Sequence, residues 1–179
     1  MDLLARCAVR VELIGHKKLG MYFFVASDTM TFGALIVAYH YVQSAVSVPA
    51  SSRVGLLMTI ILLSSSITMW NAVKAGKRDN TGAATRYVVL TIIGGLAFLI
   101  LHLSEWRGLI EQGFRLNRSP FFTLTGFHMA HVAAGVLYLT FLTQRFITAR
   151  CSTGDLEVSA IYWYFVDVVW IFLFALLYL

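Results

Sequence analysis

The sequence predicts an all-α membrane protein: a five-transmembrane-helix bundle with its N-terminus cytoplasmic and its C-terminus outside. Three observations lead there. Of 179 residues, 59% are hydrophobic and only 13% charged, against about 25% charged in an average soluble domain. Five apolar stretches, at about 19–44, 54–73, 86–106, 121–146 and 158–179, are each long enough to cross a hydrocarbon core of about 30 Å at about 1.5 Å rise per residue. None of them alternates with the period-two pattern of a membrane-barrel strand, so helices are the reading that remains.

The segments between the stretches fix the rest of the outline. Residues 1–18 carry Asp2, Arg6, Arg10, Glu12, Lys17 and Lys18 among short apolar pairs, and lack the uninterrupted core and small-residue cleavage site of a signal peptide. They read as a cytoplasmic N-terminal segment, with the first helix retained. Pro49 and Pro120 both fall between apolar stretches and read as helix boundaries. With no linker, repeat or low-complexity tract in sight, residues 1–179 read as a single membrane domain.

Orientation follows from the basic residues. Arg6, Arg10, Lys17, Lys18, Lys74, Lys77, Arg78, Arg86, Arg145 and Arg150 fall on one side of the bundle, and Arg53, Arg107, Arg115 and Arg118 on the other. The richer side is expected to be cytoplasmic. The formal charge of +5 is thus a topology signal, and no nucleic-acid partner is implied. Cys7 and Cys151 both fall on the predicted cytoplasmic side, where thiols stay reduced, and neither has the spacing of a metal or redox motif.

Two acids lie deep in the apolar stretches, Asp28 and Asp167. A carboxylate there costs about 2.5–3.5 kcal/mol even on the insertion scale, so each needs a partner. Each stands about nine residues up its helix from the cytoplasmic side, roughly 12–14 Å in. One turn from Asp167 stand Trp163, Tyr164 and Trp170, which carry indole and phenol donors and make Asp167 the organiser of the last helix. Within two turns of Asp28 stand Met21, Phe24 and Phe32, which carry none. Asp28 is therefore the less satisfied acid and the candidate protonatable intramembrane group. It fits either a proton relay or a neutral acid hydrogen-bonded to a neighbouring helix.

On the fourth stretch His128 and His131 stand three residues apart, on one helical face, with Gly135 beyond them. Such a pair suits a metal or haem, but also inter-helix or lipid-headgroup hydrogen bonds. No cysteine at membrane depth joins them, and His40 and His102 sit towards the outer ends of other helices, so contacts are the stronger reading and no metal is assigned. Glu105 and Trp106 close the third helix as interfacial anchors. Gly33, Ser64, Ser65, Ser66, Gly94, Gly95 and Gly135 allow close backbone approach where lipid supplies no hydrophobic drive for association.

These residues resemble a known family. Gly20-Met21, Ser27-Asp28, Phe32-Gly33 and Ala38-Tyr39 are similar to the first shared helix of subunit III of the haem-copper oxidases. Thr125-Gly126-Phe127-His128-Met129-Ala130-His131-Val132 with Gly135 resembles its signature on the next-to-last helix, and Tyr162 through Trp170 that on the last. Glu105, Trp106 and Glu157 fall where that family tends to carry such residues. The likeness runs over residues 19–179 and fits the five-helix bacterial form, which lacks two N-terminal helices of longer members. Asp28 stands where Glu is usual, Tyr164 where His is common, His102 where Gln is common and Met129 where Gly is frequent, which suggests a divergent branch.

The resemblance implies a non-catalytic subunit of a cytochrome c or quinol oxidase in the bacterial inner membrane. It would bind no redox centre itself, with haem and copper held by the partner catalytic subunit. It would contact subunit I and other oxidase subunits, hold phospholipid, sustain proton uptake during oxygen reduction and be able to enter a respiratory supercomplex. Two alternatives differ in class: a subunit-III-like accessory of a nitric oxide reductase, and an independent proton-coupled transporter. The second lacks the broken helices and repeats that line a substrate site.

Overall fold

The computed structural model describes residues 2–43, 51–114, 120–147 and 153–178, with side chains described over 15–42, 51–114, 120–145 and 153–178. Five helices account for nearly all of them: α1 (Asp2–Gln43), α2 (Ser52–Gly76), α3 (Thr81–Glu111), α4 (Pro120–Ile147) and α5 (Thr153–Tyr178). Each holds a stretch long and apolar enough to span a membrane. Pro120 begins α4, where a missing N–H costs nothing. Ser44, Pro49, Arg115, Arg118, Arg150, Cys151, Leu179 and the side chains of Arg6, Cys7 and Arg10 lie outside the described residues.

The helices overrun the apolar stretches that announce them. Residues 1–18 read as a segment preceding the first span, but α1 is helical from Asp2. Polar side chains end an apolar run without ending a helix, and no proline interrupts this one. Between α2 and α3 the chain reverses within a tight turn. Asp79 takes a left-handed φ of 56°, a conformation Asp tolerates better than most residues, and the Asn80 side chain accepts the Ala83 N–H at 3.0 Å to start α3.

Helices α2, α3, α4 and α5 pack in a closed ring, each against the next and α5 back against α2. Helix α1 lies outside the ring, in the groove between α4 and α5, and among the described residues its backbone approaches neither α2 nor α3. At one end of the bundle Lys17 Nζ meets Asp155 Oδ1 at 2.6 Å, Lys77 Nζ meets Glu157 Oε1 at 2.8 Å, and Lys18 also reaches Glu157. At the other, Ser52 Oγ donates to the Tyr178 carbonyl at 2.8 Å and Tyr178 Oη donates to Glu105 Oε2 at 2.6 Å. Successive helices therefore run up and down.

Small residues bring the ring together. A methyl at Gly94 would sit 2.8 Å from Ser65 Cβ, and one at Gly95 would sit 2.7 Å from both Trp163 Cη2 and Val136 Cγ2. Gly135 faces Trp163 and Tyr162 less tightly, each 3.1 Å from where a methyl would sit. The expectation fails at Gly33, where a methyl would meet nothing within 4 Å, because it lies on the outward side of the one helix left outside the ring. Two close approaches had no announcement: Gly55 under the Tyr178 ring and Gly126 under Trp106.

Candidate functional site

The acid at Asp28 finds its partner on another helix. Its Oδ2 stands 3.2 Å from Nε2 of His131, and the two side chains are only 11% and 16% exposed. The opposite ring nitrogen, Nδ1, lies 2.8 Å from the Phe127 carbonyl. A carbonyl oxygen can only accept, so Nδ1 carries a hydrogen and the state of Nε2 is left to Asp28. A bare carboxylate facing a bare imidazole nitrogen would set two lone pairs against each other. The contact is an ion pair only when the imidazole is protonated, and in the geometry present Asp28 Oδ2 makes no hydrogen bond among the described residues.

Aromatic groups fix this pair from all sides. Phe32 lies edge-on to His131 with centroids 5.3 Å apart, and Phe127 packs on the same ring at 4.6 Å. Tyr162 Oη donates to the His131 carbonyl at 2.9 Å, which ties α5 to the turn of α4 that carries the imidazole. One turn below, Met21, Phe24, Ala134, Tyr138 and Tyr162 line an open apolar cavity of about 330 Å³ between α1, α4 and α5.

Asp167 is bonded differently from the sequence reading and through Oδ2 alone, its buried Oδ1 having no hydrogen-bond partner among the described residues. Its indole neighbours donate to α2 instead: Trp163 Nε1 to Ser65 Oγ at 3.0 Å, and Trp170 Nε1 to Thr59 Oγ1 at 3.0 Å. The indole N–H lies at the far edge of a long side chain and reaches across to the next helix. The donor to Asp167 Oδ2 is Ser66 Oγ, also on α2. Three polar contacts thus run from α5 to α2, two at the adjacent Ser65 and Ser66 and one about two turns away at Thr59, and the acid is one member of a seam.

The two histidines of α4 part company. His131 faces α1, while His128 is fully buried in the ring, stacked on Trp170 with centroids 5.3 Å apart. His102 is buried there too, 5.5 Å from the same indole, although its position suggested an outer helix end. His40 is exposed. Glu105 and Trp106 are tied into the bundle as well as standing near its end: Glu105 accepts from Tyr178, and Trp106 Nε1 donates to Thr125 Oγ1 at 3.2 Å.

Comparison with known proteins decides the family. Residues 8–179 match the family described as cytochrome c oxidase subunit III. The chain belongs to the cytochrome c oxidase subunit III family. It is similar to cytochrome c oxidase subunit 3 of Corynebacterium diphtheriae, 35% identical over 89% of this chain and 85% of that protein. It is also similar to the subunit 3 of Alkalihalophilus pseudofirmus, 30% identical over 95% and 90% of the two chains. Cytochrome bo(3) ubiquinol oxidase subunit 3 of Pseudomonas aeruginosa is 31% identical, over 92% of this chain.

In this subunit III the acid–imidazole pair, the Asp167 seam and the buried histidines all lie within membrane-spanning helices. Among the described residues, no three His, Cys, Asp or Glu side chains gather as the ligands of a metal ion would. The two histidines of α4 share a face by spacing but diverge by packing, one towards α1 and one into the ring.

Proposed function

We propose that this chain is the non-catalytic subunit III of a bacterial haem-copper terminal oxidase, and that its Asp28–His131 pair holds a proton that sustains proton uptake by the complex. In this reading the chain lies in the inner membrane with the Lys17, Lys18 and Lys77 end in the cytoplasm and the Tyr178 end outside. It contacts subunit I, which with its companions carries haem and copper. Phospholipid acyl chains occupy the apolar cleft beside Tyr162. Membership of the family and five membrane-length helices support the placement. The observation that carries the proton reading is the 3.2 Å contact between Asp28 and His131, which brings a carboxyl and an imidazole together within two helices of membrane length.

The chemistry asked of the pair is modest. Imidazole and carboxyl exchange protons readily when one hydrogen bond joins them, and a low-polarity setting makes the neutral and ionic forms respond to nearby charge. The test is Asp28→Asn in the assembled complex. An amide still donates to Nε2, so subunit content and haem content are expected to stay unchanged. Turnover during sustained oxygen reduction should then decay several-fold faster, or the proton yield per electron fall. A fully assembled variant with unaltered sustained turnover and proton yield would reduce Asp28 to a packing residue.

A further inference from the structure

A groove on the α2 side of α1 changes character along its length. At the lysine end Lys18 and Tyr22 on α1, Lys77 just past α2, and Glu157 on α5 line a cavity of about 310 Å³. Trp70 and Tyr164 also line it, and the same two residues line a second cavity of about 470 Å³ beside Ser66 and Ile67, deeper along α2. The two cavities therefore meet at Trp70 and Tyr164 and form one groove down the bundle surface. Ser66 and Lys77 stand about 16 Å apart along the helix axis, about half of a hydrocarbon core of about 30 Å.

The mouth of the groove is cationic and its charges are held in place. Glu157 accepts from Lys18 and, at 2.8 Å, from Lys77. One carboxylate between two ammonium groups leaves one positive charge over, and each ammonium keeps further N–H donors for an acceptor arriving from outside. Lys74 lies over the Trp70 ring, 4.7 Å from its centroid, and adds a cation at the rim. Below the mouth the character turns apolar, and Ile67 and Trp70 stand exposed along the groove.

A ligand that matches this order carries a phosphate of single negative charge above a hydrocarbon chain. Free phosphate would leave the apolar part empty, and an apolar helix would leave the ammonium groups unmatched. A zwitterionic headgroup would bring its own cation among the lysines. An anionic phospholipid brings the negative charge without one.

We propose that this groove binds one anionic phospholipid, with its phosphodiester against Lys18 and Lys77 and an acyl chain laid past Trp70 and Tyr164 towards Ser66. The site lies across α1 from the cleft beside Tyr162. It requires that these helices cross a membrane and is independent of the proton reading.

Native mass spectrometry of the intact complex, titrated with phosphatidylglycerol or phosphatidylcholine of the same chains, tests the chemistry. Lys18→Gln with Lys77→Gln should remove one tightly held phosphatidylglycerol per complex and leave phosphatidylcholine binding unchanged. Trp70→Ala keeps the lysine charges and should weaken phosphatidylglycerol binding several-fold. An assembled double variant that holds as much phosphatidylglycerol as the unmodified complex would overturn the proposal. An electron cryomicroscopy map of the unmodified complex in phosphatidylglycerol nanodiscs needs no variant. A phosphate peak beside the two lysine Nζ atoms, with a chain running past Trp70, is expected there. A protein helix in the groove, or well-resolved lysine and Trp70 side chains with no chain beside them, would overturn it. Neither readout depends on turnover, so the outcome of the Asp28→Asn test leaves this one undisturbed.

Discussion

Helix α1 and the four-helix ring solve the same problem by different means. Half of the α4 span and 44% of the α5 span are buried inside the bundle, but only 11% of the α1 span is. The ring is held by backbones brought together at glycine and serine, with indoles locked to α2 hydroxyls. In lipid such packing is the main source of association, because apolar area gains nothing by leaving acyl chains. Helix α1 lacks that contact. Its ties include the Asp28–His131 pair, ring contacts from Phe24 and Phe32, the lysine contacts at one end, and Met21, Leu35, Ile36 and Tyr39 packed on the core. Less of α1 is buried, and the Asp28–His131 pair joins this more loosely held helix to α4.

The sharpest way to break this contrast is to place one bulky side chain on each side of it. Gly95→Leu drives a side chain into Trp163 and Val136, whose nearest atoms would already lie 2.7 Å from a methyl. Overpacking a filled core typically costs about 1–3 kcal/mol, and more where backbones must part. The variant is expected to fail to accumulate in the complex. Gly33→Leu on α1 meets open space and should assemble at the unmodified level, with quantitative immunoblotting of purified complex as the readout. Equal loss from both would erase the distinction between ring and periphery.

A smaller effect separates the two acids. His131→Leu leaves Asp28 without the imidazole that stands 3.2 Å away, and an unsatisfied buried polar group costs about 1–3 kcal/mol. Replacing both members by leucine removes the buried polar pair altogether, and such exchanges are often neutral. The single variant should lower the melting temperature of the complex by a few degrees, and Asp28→Leu with His131→Leu should recover most of it. A double variant as unstable as the single would mean that the two side chains do not act as a unit.

What the sequence disclosed follows the physics of each signal. Span number was legible because hydropathy is summed over about 20 residues and tolerates local exceptions. Asp28, His128 and His131 each stood out as polar groups at depth. Their partners did not, because pairing depends on how each helix is rotated about its axis, and spacing within one helix says nothing of that. The same gap misassigned the Asp167 donors: Trp163 and Trp170 are one-turn neighbours in sequence, yet their indole nitrogens bond to Ser65 and Thr59. Residue type alone marked Gly33 beside Gly95, although only the second has a neighbour. Gly55 and Gly126 were missed because their partners, Tyr178 and Trp106, are aromatic rings from distant segments.

The smallest expected effect lies at the lysine end. Glu157 joins Lys18 on α1 to Lys77 beyond α2, with the lysine side chains 36% and 59% exposed. Exposed ion pairs are worth about 0–1 kcal/mol each, because water screens the charges and two long side chains must be held still. Glu157→Gln also leaves two like charges facing each other, so the melting temperature of the complex should fall slightly at low salt. Near 1 M salt the screening length is only about 3 Å, and the difference from the unmodified complex should vanish. A loss that persists at high salt would mean that Glu157 acts through buried contacts. The seating of α1 would then depend less on its middle, where Asp28 meets His131, than the contrast with the ring requires.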